Sequence, residues 1–185
     1  AQNTKQGYSI DVEILGASGN EVLLAHRYGD KFFTDDTIHM DDDGRGRFSG
    51  TTALQHGMYQ VVLPDKTFFD FFIEDHQHFG LKTVVGKFVQ SNQAVDEHFN
   101  QVFFNWHRAS SKYRNTPEMQ TVWDTTLQSL GTSLAGKFLA SLMPFKIPEE
   151  LKTNEGFQNN QLAQYHYYKD HFFDNTDLSD PKLLR

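Results

Sequence analysis

The sequence contains no cysteine. Disulfides, thiolate metal sites, cysteine nucleophiles and thiol redox chemistry are therefore excluded within these residues. It also lacks a basic excess: 17 Lys+Arg stand against 24 Asp+Glu, for a formal net charge of −7, with more of the surplus acid in residues 1–90 than in 91–185. No basic stripe is present to neutralise phosphates, which argues against a nucleic-acid partner. No apolar run is long enough to span a bilayer, so membrane attachment would need an N-terminal anchor that this sequence does not contain. No signal peptide is visible, and a start at Ala1 rather than Met fits a processed or trimmed chain. The motifs that announce common chemistries are missing too: there is no His-Glu-x-x-His, no Gly-x-Ser-x-Gly, no phosphate-cradling Gly-Lys-Ser loop and no dinucleotide fingerprint.

What the chain has in quantity is aromatic area. Hydrophobic residues make up only 38%, but 17 Phe, 7 Tyr and 2 Trp bury much surface per residue, so a real core is expected. After a polar linker at Ala1–Gln6, the first half alternates at period two. Tyr8, Ile10, Val12 and Ile14 share one face of a strand and Ser9, Asp11 and Glu13 the other. Further strands are expected at Val22–Tyr28, Lys31–His39, Arg45–Thr52, from Gly57 through Leu63, at Thr67–Glu74 and at Phe79–Val89, separated by turn residues such as Asp43-Gly44 and Pro64-Asp65-Lys66. Seven short strands so spaced predict an antiparallel β-sandwich over 7–90.

The period then changes. Val95, Phe99, Val102, Trp106, Ala109 and Tyr113 step by four and three, which predicts a helix capped by Ser91 or Asn92. Thr116-Pro117 starts a second helix carrying Met119, Val122, Trp123, Leu127, Leu130, Leu134, Phe138 and Leu142, weakened at Gly131 and Gly136. The two should pack antiparallel. Glu149–Asn160 reads as a loop and about Gln161–Phe173 as a third helix. The fold class is thus α+β by segregation: sandwich, helical hairpin and a third helix, with 91–185 forming a helical region that stops before its natural end.

Few residues nominate themselves for chemistry. Glu74, His76 and His78 form the best metal candidate, since two imidazoles at i, i+2 on a strand share a face, but two more ligands are needed and a polar turn explains the same residues. Asp41-Asp42-Asp43-Gly44 fails the calcium-loop pattern, with Arg45 and Thr52 where oxygen ligands belong, and reads as a solvated hairpin. Asp35, Asp36 and His39 could hold a carboxylate–imidazole pair, with no nucleophile tied to it. Asp170, His171, Asp174, Asn175 and Asp177 form a polar cluster suited to an interaction site or, more simply, to fixing a helix end. Phe68, Phe69, Phe71 and Phe72 cannot all face one core, because neighbours on a strand alternate faces. No catalytic residue and no cofactor is nominated.

The run Tyr167-Tyr168-Lys169-Asp170-His171-Phe172-Phe173-Asp174-Asn175-Thr176-Asp177, continuing Leu178-Ser179-Asp180-Pro181-Lys182-Leu183-Leu184-Arg185, resembles the helical region of unknown function in Bacteroides-type TlpA/ResA-like thiol–disulfide oxidoreductases. Ser133–Leu139 followed by Ile147-Pro148, the Asp43–Phe48 turn and Gly57-Met58-Tyr59 are similar to that family as well. The resemblance implies an extracytoplasmic location, periplasmic or attached to the outer membrane, and a C-terminal thioredoxin-like domain with a Cys-x-x-Cys site, which this sequence lacks. The expected role is a non-catalytic accessory module that positions, dimerises or presents such a redox domain, so the expected partners are that domain or a second copy of the chain. The alternative is a ligand-binding module for a glycan, peptide or lipid, using exposed aromatics.

Overall fold

In the computed structural model, residues 7–144, 147–148, 151, 157–177 and 179–180 are described. The expected linker at 1–6, most of the polar stretch expected at 149–160, Leu178 and the family-like run 181–185 lie outside them. The fold is α+β, with a β-rich N-terminal region followed by helices. Among the described residues, eight strands form two four-stranded sheets, in the orders β4-β1-β7-β8 and β3-β2-β5-β6. The strands are β1 Tyr8–Leu15, β2 Glu21–Tyr28, β3 Lys31–His39, β4 Arg45–Gly50, β5 Gly57–Val62, β6 Phe68–Ile73, β7 His78–Val84 and β8 Gln93–Val95. The helices are α1 Phe88–Ser91, α2 His98–Tyr113, α3 Glu118–Leu130, α4 Leu134–Leu142 and α5 Phe157–His171.

Period-two alternation does what the sequence promises. Ile10, Val12, Ile14, Val22, Leu24, Phe48, Tyr59, Val61, Phe71, Phe79 and Leu81 are buried. The same core continues into the helices through Phe103, Phe104, Trp123, Leu130 and Leu139. One pairing departs from the antiparallel pattern: β1 and β7 run parallel, in register from Ser9–His78 to Leu15–Val84. Between them the chain builds the whole second sheet, so the return needs no crossover helix. The Asp43-Gly44 turn is also not a hairpin within a sheet, because β3 and β4 belong to different sheets. Gly44 takes φ 73 and its carbonyl accepts from Ile14 N, so the turn is seated on the end of β1.

The expected first helix begins later than its spacing suggests. Ser91 ends the short α1, and Val95 is not on a helix but on β8, which pairs with β7. Asp96 at φ 60 then turns the chain, and the Glu97 side chain accepts from Phe99 N and Asn100 N to cap α2. A carboxylate offers these orphan amides a better acceptor than Ser91 could from a distance. The expected last strand likewise stops at Val84, and the second helix breaks into α3 and α4. Gly131 at φ 52 ends one, and Ser133 caps the other by accepting from Gly136 N. The third helix spans Phe157–His171, starting earlier and ending earlier than expected. No helix among the described residues is long and apolar enough to cross a membrane.

Two buried amide side chains satisfy backbone groups, one on an edge strand and one in the loop before β5. Asn100, on α2, accepts from Phe72 N (2.6 Å) and donates to Phe72 O (2.8 Å). Because β6 is an edge strand, this amide stands where a neighbouring strand would. Gln77 does the same for Leu54, accepting from its N–H (2.8 Å) and donating to its carbonyl (2.9 Å).

Candidate binding face

Most polar residues singled out in the sequence are committed to holding the fold. The Glu74 carboxylate accepts from Leu134 N (3.0 Å), at the first turn of α4. His76 packs beside Phe79, and the Nε2 atom of His78 is buried with no partner among the described residues. The three do not converge: no cluster of three or more His, Cys, Asp or Glu able to hold a metal occurs among the described residues. Asp41 caps its own turn by accepting from Asp43 N and Arg45 N. A carboxylate–imidazole pair does form, but Asp35 reaches His26 Nδ1 (2.6 Å) rather than His39. The register shift at Leu24/Ala25 leaves Asp35 as the extra residue of β3, and this aims it at His26 across the strand pair. Asp36 instead accepts from the Tyr8 hydroxyl (3.0 Å), and His39 sits 3.6 Å from Glu21. Burial, with the carboxylates of Asp36 and Asp35 behind it, pushes the Tyr8 phenol up to about 12.

At the end of α5, His171 Nδ1 meets Asp174 (2.6 Å) under the Tyr167 ring, whose centroid is 4.2 Å away. Asp177 accepts from Ser179 N–H and hydroxyl, and these local bonds pull its carboxyl below the usual range. Asp170 and Asn175 are exposed. The His171–Asp174 pair therefore ties the end of α5 to the turn that follows it.

The open feature lies on the outer face of the second sheet. The register stacks Leu23, Val62 and Phe68 in one row and Ala25, Gln60 and Asp70 in the next. Of the four phenylalanines on β6, Phe69 and Phe71 point inward and are buried. Phe72 points outward but is covered by Phe103 (5.0 Å between centroids) and Phe138 (5.5 Å). Phe68 alone of the four is left 44% exposed, without the cover that Phe103 and Phe138 give Phe72. It faces Phe32, also 44% exposed, across a groove of about 420 Å³ floored by Leu23, Val62, Leu63 and Pro64. Arg27 and Lys66 stand on the rim with Glu21. The Arg27 guanidinium lies 5.7 Å from the Phe32 ring centroid, and neither Arg27 nor Lys66 forms an ion pair among the described residues. The sequence shows that Phe68, Phe69, Phe71 and Phe72 cannot all face one core, but not that Phe68 is the one left open. Leu23, Arg27, Phe32 and Val62 were not legible there, because only the register brings them together.

Beside the groove sits Asp70, accepting from Gln60 Nε2 (2.8 Å). Burial raises its carboxyl above the ordinary 3.8, and Gln60, His107 and Arg27 only partly offset this. For an acid with a raised folded value the charged form is the disfavoured one, so native stability falls as pH rises through that range. Asp70→Asn is expected to raise the melting temperature at neutral pH, with the gain fading below about pH 4. Thermal melts across pH check this; an equal loss at every pH would show that the charge is compensated.

No protein-family model matches the chain, and no curated protein matches it. Among solved structures, (S)-allantoin synthase aligns at 14% identity over 44% of this chain and 41% of its own, with a TM-score of 0.35. A 5-hydroxyisourate hydrolase from Klebsiella pneumoniae aligns at 16% identity over 43% of this chain and 85% of its own, with a TM-score of 0.30. A protein from Eubacterium rectale aligns at 13% identity over 52% and 95%, with a TM-score of 0.27. The chain thus spans under half the length of the synthase.

Proposed function

We propose that the chain is a non-catalytic binding module that holds a lipid-like ligand, an aliphatic body with an anionic head, on the outer face of its second sheet. The observation that carries this is the half-open Leu23–Val62–Phe68 row, closed by Phe32 and rimmed by Arg27 and Lys66, which form no ion pair among the described residues. The floor separates the three ligand classes. A glycan needs polar partners for its hydroxyls, whereas the floor is Leu23, Val62, Leu63 and Pro64, and the amide beside it, Gln60, is bonded to Asp70. A peptide added as a strand needs a free sheet edge, whereas this floor crosses the inner strands β2 and β5. An aliphatic chain needs only apolar contact, and Arg27 and Lys66 suit a carboxylate or phosphate head.

Titration with decanoate below its micellar range should shift the backbone amide resonances of Leu23, Val62 and Phe68. Phe68→Ser should weaken binding about tenfold, as expected from losing half a phenyl ring of apolar contact, and Arg27→Gln should weaken it several-fold. Amides in this row that stay unmoved at saturating decanoate would sink the reading.

The family-like run from Tyr167 supports a second reading that is compatible with the first: the module works outside the cytoplasm beside a thioredoxin-like redox domain. Reading the coding sequence past Arg185 tests it. A Cys-x-x-Cys site downstream is the expected result, and an early stop codon removes the idea.

A further inference from the structure

A separate cavity of about 760 Å³ opens where α2 turns into α3 beneath the end of α4. Its size is that of small-molecule sites. Trp106 and Trp123, with ring centroids 5.1 Å apart, form its wall together with Met119, Met143 and Pro144. Two polar groups mark this lining. The Trp106 indole N–H is shut off from water and has no acceptor among the described residues, a standing cost for a buried donor. Arg114, on the rim at the C-terminal end of α2, makes no ion pair among the described residues, in a chain whose net charge is −7.

We infer that this cavity is a second binding site, for a small aromatic carboxylate. Two indoles and two thioethers offer faces and edges to a flat ring. The Arg114 guanidinium offers the carboxylate a charge-assisted fork. The groove on the second sheet differs in kind: its floor is aliphatic and its rim cations are Arg27 and Lys66.

Both tryptophans of the chain line this cavity, so tryptophan emission, excited selectively over the seven tyrosines, reports on it. Titration with 3-phenylpropionate should give a saturable change in emission, and the neutral 3-phenylpropanol should bind at least tenfold more weakly. Arg114→Gln, at an exposed helix end, should leave the circular dichroism spectrum intact and abolish the preference for the acid. Phe68→Ser should leave the response unchanged, which separates this site from the groove. A change that is linear rather than saturable, or equal affinity for acid and alcohol in the unaltered protein, overturns the inference.

Discussion

Asn100→Leu is expected to destabilise the protein by about 2–5 kcal/mol, although the substitution fills the same space with an apolar side chain. Asn100 is 1% exposed, and its amide is bonded to both the N–H and the carbonyl of Phe72. Leucine leaves both backbone groups buried under α2 without partners, at roughly 1–3 kcal/mol each. Added apolar contact returns less than that, because the site is already packed. Urea denaturation gives the difference, and hydrogen exchange at the Phe72 amide should accelerate in step. A loss below about 1 kcal/mol would mean that water or a shifted helix replaces the amide.

The largest effect of a core truncation is expected at Phe71→Ala, at about 3–5 kcal/mol. Phe71 has no exposed surface, and its ring lies 6.3 Å from that of Tyr59 and 6.1 Å from that of Phe79. It bridges the two sheets, with Tyr59 on β5 and Phe79 on β7. Phe68→Ala on the same strand should cost far less, because that ring is already half in solvent. Equilibrium unfolding of the two variants side by side checks the contrast. Equal losses would contradict the assignment of faces on β6.

That contrast also shows how much was legible beforehand. Alternation in Tyr8–Leu15 and in Phe68–Ile73 is a local property, and it located strands and inward faces within a residue or two. It could not distinguish Phe72 from Phe68, which share the outward face. Their fates are decided by where α2 and α4 lie, through Phe103 and Phe138. The helix starting at His98 was visible as a stripe, but its start was misplaced because Val95 fits the helical spacing while pairing as a strand. The His26–Asp35 pair escaped for a related reason: a register shift is set by the partner strand and leaves no trace in composition. The groove, built from residues of four strands and the turn before β6, was beyond any reading that lacked the register.

The parallel pairing of β1 with β7 has a consequence for how the molecule comes into being. The first strand synthesised finds its central partner only after six further strands exist. Until then β1 has only β4 beside it, while β2, β3, β5 and β6 join through nearer neighbours. Closing so long a loop is entropically costly before any contact repays it. The second sheet should therefore gain amide protection first in a pulse-labelling experiment, and the first sheet should lock late, when His78–Val84 docks. A nascent chain released before β7 would present the bare flank of β1 as a template for other chains.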